Sequence, residues 1–250
     1  MAVSKKKVQR TFTKDEQEMI KLLDHGLDNY PADFDVAGAL SDQEGWQDYL
    51  DIIENFITLP INSTVLEIAP GNGAYQRLIN NSDIKKYIGV EPFTTWYESL
   101  KDGTTWNPEV EFHNCTYEKF ILDEPVDVVI TAGLFYHLAS PIHFIETIAN
   151  DYKPDLLYVE SIGHLDINYM HATGKELSYA PEVINKAGNR QQSHGRAVPY
   201  NATIDTPTIA HFLECVGYKL IDFDDIETRN SSKVDSCIMK FHRLGDNVWS

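Results

Sequence analysis

From Thr64 onward the chain alternates short apolar runs with amphipathic stretches, and this alternation constrains the fold more than any other feature. Strands are predicted at Thr64–Ile68, Lys86–Val90, Val110–Asn114, Val126–Thr131 and Leu156–Glu160. Helices are predicted between them at Ala74–Asn80, Thr95–Lys101, Tyr117–Ile121 and Pro141–Tyr152. Strands that take turns with helices in this way form a parallel sheet with helices on both faces. A helix at Thr206–Val216 then leads to two more strands, Lys219–Ile226 and Ser236–His242. Their connection, Glu227–Asp235, is rich in Asn and Ser and too short for a helical crossover, so a hairpin ends the sheet with one antiparallel strand.

The segment ahead of the sheet reads as helical. Met19, Leu22, Leu23 and Leu27 fall at helix spacing within Lys14–Leu27, as do Trp46, Leu50, Ile53 and Ile57 within Asp42–Ile57. Ser41 or Asp42 suits the N-cap of the second helix, with Glu44 in its first turn. The expected division is a disordered tail at 1–12, a helical extension or cap at 13–60, and the main domain at 61–250. Residues 163–200 have no core periodicity and are rich in His, Asn, Gln and Tyr, the mark of an insertion or active-site lid. Lys175, Lys186, Arg190, His194 and Arg196 give that stretch a local positive balance.

Charge narrows the function. Asp and Glu number 38 against 21 Lys and Arg, a net charge of −17. Nucleic-acid binders use clustered Lys and Arg to displace counterions from phosphates, and the only dense basic run here is Lys5-Lys6-Lys7. A small-molecule partner is therefore expected over RNA. Met1 to Arg10 is basic but runs into polar residues, unlike a secretory signal, and no apolar run approaches a membrane span. The three cysteines, Cys115, Cys215 and Cys237, lie far apart, which fits a reducing cytoplasm. Neither a metal site nor an oligomeric state is legible.

The strongest motif is Val65-Leu66-Glu67-Ile68-Ala69-Pro70-Gly71-Asn72-Gly73-Ala74-Tyr75. An apolar strand meets an acidic residue, then a turn of small residues, then a helix. Gly71 and Gly73 allow the backbone to turn sharply and approach a ligand. The spacing is not the G-x-G-x-x-G of nicotinamide folds, and Glu67 would repel a pyrophosphate. It would instead attract a cationic amino-acid portion, directly or through water. S-adenosylmethionine carries an ammonium and a sulfonium, so its charge fits. Glu91 ends the second strand in Tyr87-Ile88-Gly89-Val90-Glu91-Pro92, 24 residues after Glu67, where a carboxylate can accept both ribose hydroxyls of an adenosine. Thr116 or the Tyr117 backbone is placed to meet the adenine amino edge, with Phe93 over a ring face and Pro92 beside it among the cofactor-binding candidates. Thr116 serves equally as a helix N-cap.

These residues resemble those of class I S-adenosylmethionine-dependent methyltransferases, which carry E/D-x-G-x-G-x-G, a second-strand acidic residue and a terminal antiparallel strand. The resemblance spans Ile61 to Arg243, with Ala69 where the first glycine usually stands. It implies an α/β, Rossmann-like doubly wound sheet, mostly parallel with an antiparallel terminal strand, plus N-terminal helices. It also implies S-adenosyl-L-methionine as cofactor, with Thr131, Ala132 and Gly133 lining the site. A narrower likeness lies in Asp127 to Pro141, which includes Leu134-Phe135-Tyr136-His137-Leu138-Ala139-Ser140. That stretch, with Leu157–Ser161 and Val198–Tyr218, is similar to the tRNA wobble-uridine (5-carboxymethoxyuridine) methyltransferase-like family. The basic and polar residues that bind a carboxylated cofactor in that family have no one-to-one match here, so its carboxymethyl transfer is not carried over.

Ligands of open parallel sheets bind beyond the carboxyl ends of the strands. His137 is the candidate base for that edge, Tyr136 the residue that orients the acceptor, and Glu160 an additional catalytic candidate beside His164. Either of the first two could instead be structural, His137 by capping a helix and Tyr136 by packing. The leading expectation is methyl transfer to an O or N atom of a small molecule. The alternatives are a wobble-uridine modifying enzyme and a cofactor-binding module without chemistry, with a nicotinamide oxidoreductase fourth.

Overall fold

The computed structural model of the protein describes residues 46–71, 73–102, 105–135, 138, 140–162, 179–183, 200–204, 206–226 and 236–245. A helix, α1 (Trp46–Phe56), precedes the sheet, followed by β1 (Thr64–Ile68), α2 (Gln76–Asn80), β2 (Lys86–Val90), α3 (Thr94–Asp102) and β3 (Glu109–His113). The second half holds β4 (Val128–Ala132), α4 (Pro141–Thr147) running into a π turn at Ile148–Tyr152, and β5 (Leu156–Ile162). Beyond these come β6 (Tyr179–Val183), β7 (Tyr200–Ile204), α5 (Thr206–Cys215), β8 (Tyr218–Ile226) and β9 (Ser236–Arg243).

Seven strands make one sheet in the order β3-β2-β1-β4-β5-β9-β8. The first five run parallel, while β9 lies antiparallel between β5 and β8. This is the doubly wound α/β sheet expected from the sequence, and the β8–β9 hairpin supplies its single reversed strand. The order reverses between β1 and β4, and that switch point opens the crevice used by ligands of such sheets. β6 and β7 pair antiparallel in a separate sheet, with Tyr179 opposite Ile204 and Val183 opposite Tyr200. β6 falls within the stretch expected to be a lid and β7 begins at its end; the other residues of 163–200 lie outside the described residues, as do Lys14–Leu27 and Ser41–Glu44.

Successive side chains of a strand point to opposite faces, so the buried strands β1, β4 and β5 feed two cores. One joins Val65, Tyr87, Val128, Ile130 and Tyr158 to Ile53 and Ile57 at α1 and Ile79 of α2. The other joins Leu66, Ile88, Val129, Leu157 and Phe241 to Phe144 of α4 and Ile209 and Leu213 of α5. The Tyr158 hydroxyl donates to the Thr58 carbonyl at 2.7 Å and accepts from the Thr58 N–H at 3.1 Å, which ties the exit of α1 to β5. Arg77 of α2 pairs with Asp51 and Glu54 of α1 at the surface.

Two expected helices change. Residues 117–121 form only a turn, because the Thr116 carbonyl takes both the Lys119 and Phe120 N–H and the chain goes no further. Tyr117 and Phe120 are then held by ring contacts to Phe144 and Tyr152; one turn is the costly nucleus of a helix, and five residues add little to repay it. The helix after the glycine turn starts at Gln76 rather than Ala74, because Gly73 sits at φ +85° and its carbonyl closes a turn on the Gln76 N–H at 3.0 Å.

Candidate functional site

The β1–β2 end of the crevice is built around two buried carboxylates. Glu67 is the fourth residue of β1 and 3% exposed. One of its oxygens accepts the Tyr87 hydroxyl from β2 at 2.7 Å. Burial pushes the Glu67 carboxyl up to about 7, and the tyrosine bond only partly offsets this. Burial and the adjacent Glu67 in turn push the Tyr87 phenol well above its ordinary range. Glu91, just past β2, is fully buried. Its two oxygens accept the Gly71 N–H at 2.9 Å and the Phe93 N–H at 2.8 Å. Glu91 thereby fastens the glycine turn after β1 to the turn after β2.

Backbone geometry explains the small residues. Ala69, Gly71 and Gly73 have φ of +60°, +60° and +85°, the left-handed region that disfavours a Cβ. Ala69 accepts that conformation while donating its N–H to the Val90 carbonyl at 2.8 Å. Gly89 needs its missing side chain for space, since a Cβ there would stand 2.8 Å from the Phe112 ring.

Several residues that the sequence reading did not single out complete this end. The Asn114 amide donates to the Glu91 carbonyl at 2.9 Å and the Pro92 carbonyl at 3.2 Å, bracing the turn from β3. The Tyr87 ring stacks on Trp106 at 5.0 Å, and Trp106 lies about 4 Å from the Cβ position of Gly73. Trp96 lies across Gly71 and meets Phe93 edge-on at 5.2 Å. A buried tyrosine one strand away from a buried acid could have been noticed as a polar pair, but only the register of β1 on β2 brings Tyr87 to Glu67. Pro92 and Phe93 are half-buried beside Glu91. Thr116 places its hydroxyl out of solvent with no hydrogen-bond partner, while Tyr117 is buried against Phe144.

At the β4–β5 end Glu160 is 3% exposed, and its carboxylate accepts the Gly133 N–H at 2.7 Å. Gly133 has φ +66° and begins the turn after β4. Thr131 is buried with its hydroxyl unpartnered, and Ala132 is half-buried opposite Glu160. Tyr136 and His137 lie outside the described residues. His113, which reads as structural, has its ring on Phe120 and its Nε2 at 2.9 Å from Glu111. Among the described residues no group of three or more His, Cys, Asp or Glu could hold a metal ion. No described helix is long and apolar enough to cross a membrane.

The donor set suits a cation bearing a sugar diol better than a pyrophosphate. Glu67 and Glu91 set two acidic side chains beside the glycine turn, and the five-residue α2 offers no helix N-terminus of the kind that holds phosphate.

Comparison with known proteins shows what the chain is similar to. Residues 66–158, from within β1 to within β5, match the family described as a methyltransferase domain. No curated protein sequence matches the chain. Among solved structures, the N-methyltransferase NodS of Bradyrhizobium japonicum in complex with S-adenosyl-L-homocysteine is 13% identical. The match covers 90% of this chain and 98% of that one, with a TM-score of 0.59. The magnesium protoporphyrin IX methyltransferase of Synechocystis with bound S-adenosyl-L-homocysteine is 13% identical over 92% of this chain and all of that one, with a TM-score of 0.57. The [4+2]-cyclase SpnF is also similar, at 13% identity over 82% and 86% of the two chains and a TM-score of 0.54. At these identities the likeness is one of fold. Residues 66–158 are thus similar to a methyltransferase domain, and the whole sheet shares the Rossmann-like fold of these structures. These likenesses do not single out the tRNA wobble-uridine family.

Proposed function

We propose that the protein is an S-adenosylmethionine-dependent methyltransferase that acts on an O or N atom of a small molecule. The observation that carries this reading is the buried Glu91 carboxylate, which joins the Gly71 and Phe93 backbones at the carboxyl edge of a parallel sheet. Glu91 would accept the ribose hydroxyls, Thr116 or the Tyr117 backbone would meet the adenine edge, and Phe93 would cover a ring face. Glu67 would serve the amino-acid end, and Thr131, Ala132 and Gly133 would line the far side. Bound S-adenosylmethionine supplies a methyl group on a sulfonium. Transfer breaks the sulfur–carbon bond and forms a carbon–oxygen or carbon–nitrogen bond in line, so the protein's chief work is alignment.

Tyr136 would orient the acceptor and His137 would take its proton. Glu160 holds the Gly133 N–H inside the protein, which suits the shaping of the turn that leads to Tyr136 and His137 better than proton transfer from an acceptor. Residues 61–250 would form the methyltransferase domain and 163–200 its acceptor-selecting lid, whose basic residues suit an anionic acceptor.

The test is an acceptor screen read by mass spectrometry with wild type, Tyr136→Phe and His137→Ala. A product heavier by one methylene, lost in His137→Ala while cofactor binding persists, supports the reading. Undiminished turnover in both variants removes these two roles. A protein that binds cofactor but turns over no acceptor fits a binding module. Deleting 187–196 should raise the acceptor KM and leave cofactor affinity intact.

The sequence likeness in Asp127–Pro141 favours one second reading, modification of a wobble uridine. The net charge of −17 opposes it. A salt-dependent shift of tRNA in a gel would reverse that preference.

A further inference from the structure

We propose that Tyr87 is a positioning residue for the amino-acid end of the cofactor, acting through the Glu67 carboxylate that its hydroxyl holds; the inference rests on the cofactor reading above. Three observations carry it. Register places Val65 opposite Tyr87 and Glu67 opposite Gly89, so the side chains of Glu67 and Tyr87 share one face of the sheet. Both are almost fully buried, and the phenol donates to Glu67 at 2.7 Å. The Tyr87 ring is itself fixed, stacked on Trp106 at 5.0 Å and edge-on to Phe112 at 5.9 Å. The Trp106 ring lies about 4 Å from the Cβ position of Gly73 and donates its indole N–H to the Leu100 carbonyl at 3.1 Å. The chain Glu67–Tyr87–Trp106–Gly73 thus links the acidic residue of β1 to the loop that follows it.

The chemistry of the pair is specific. A phenol donates to the ionised carboxylate and favours that form against burial, and only the ionised form attracts an ammonium. The charged and titratable neighbours are few. β2 brings Tyr87 and Glu91, and β5, beyond β4, brings Glu160. α1 and α2, with the turn before α2, pack apolar Ile53, Ile57 and Ile79 together with Tyr75 on this face, while their Asp51, Glu54 and Arg77 pair with one another at the surface. No described basic side chain compensates Glu67. Its hold on a cationic ligand therefore depends on the tyrosine.

The experiment is calorimetric titration of wild type and Tyr87→Phe between pH 6 and pH 8 with two probes. S-adenosylhomocysteine carries the adenosine and the ammonium; methylthioadenosine carries the adenosine alone. The expected result at neutral pH is a loss of about tenfold for S-adenosylhomocysteine and none for methylthioadenosine. The rise of affinity with pH should also move to higher pH in the variant. Glu67→Gln should reproduce the selective loss, and adding Tyr87→Phe to it should cost nothing more. Should Tyr87→Phe fail to fold, Glu67→Gln with the same two probes carries the test. Equal losses for both probes, or none for either, overturn the inference while leaving the cofactor reading intact. Wild type that binds neither probe overturns the cofactor reading and this inference with it.

Discussion

The β1–β2 half of the crevice and its β4–β5 half both rest on buried carboxylates, but they use them differently. In the first half Glu91 takes two backbone N–H groups and Glu67 takes a phenol, while three left-handed positions, Ala69, Gly71 and Gly73, shape the turn beside them. In the second half Glu160 takes the Gly133 N–H and supports one turn that leads on to Tyr136 and His137. The first half is built to hold a fixed ligand, with its loops fastened at both ends. In the second the described anchor is the Gly133 N–H on Glu160, at the start of the turn after β4. Under the proposed function, the first half would serve the cofactor and the second the acceptor.

Glu91→Ala should cut deepest into the contrast. It leaves the half-buried Gly71 and Phe93 N–H groups without their shared acceptor, at a cost of about 2–4 kcal/mol of stability by chemical denaturation. S-adenosylmethionine affinity should fall about 100-fold or more; retained affinity would show that the two turns do not need their shared anchor.

Glu67→Gln should sharpen the contrast by separating stability from binding. In the folded chain Glu67 ionises near pH 7, against 4.5 ordinarily, so between these values the folded state holds a proton that the unfolded state has lost. Its contribution is therefore neutral below pH 4.5, grows unfavourable as pH rises to 7, and levels off above. Up to about 3 kcal/mol is involved. Glu67→Gln should raise Tm at pH 8, leave it unchanged at pH 4, and weaken cofactor binding. A lower Tm at pH 8 would contradict the burial argument.

For the other half, Glu160→Ala should lower kcat about tenfold with cofactor affinity kept within about twofold, and Glu160→Gln, which retains an acceptor for Gly133, should recover most of the loss. A reversed pattern, with cofactor binding lost and kcat kept, would erase the division between the halves. The smallest effect is expected at Ala69→Gly. Relief of the left-handed Ala69 conformation should stabilise the domain by about 1 kcal/mol, less the added chain entropy of glycine.

The sheet was legible because its signals are local. Apolar runs that meet Glu67, Glu91 and Glu160 marked strands β1, β2 and β5, and the short Glu227–Asp235 connection required the antiparallel hairpin. What could not be read depends on register and on competition between turns. Nothing in the neighbourhood of Tyr87 announces that β1–β2 pairing will set it against Glu67. Gln76 as the true helix start follows from the φ of Gly73, which composition does not encode. The 117–121 segment has helix-like spacing, but its two aromatic residues are held by Phe144 and Tyr152, rings distant in sequence. Ser161 and Thr131, buried with unpartnered hydroxyls, read from sequence as ordinary strand residues.

The most direct test of the central claim is calorimetric titration of the full chain with S-adenosylmethionine, run beside Glu91→Ala and beside a nicotinamide dinucleotide. The account predicts micromolar binding to wild type, loss in the variant and no binding of the dinucleotide. Absence of S-adenosylmethionine binding, or equal binding by Glu91→Ala, would contradict it.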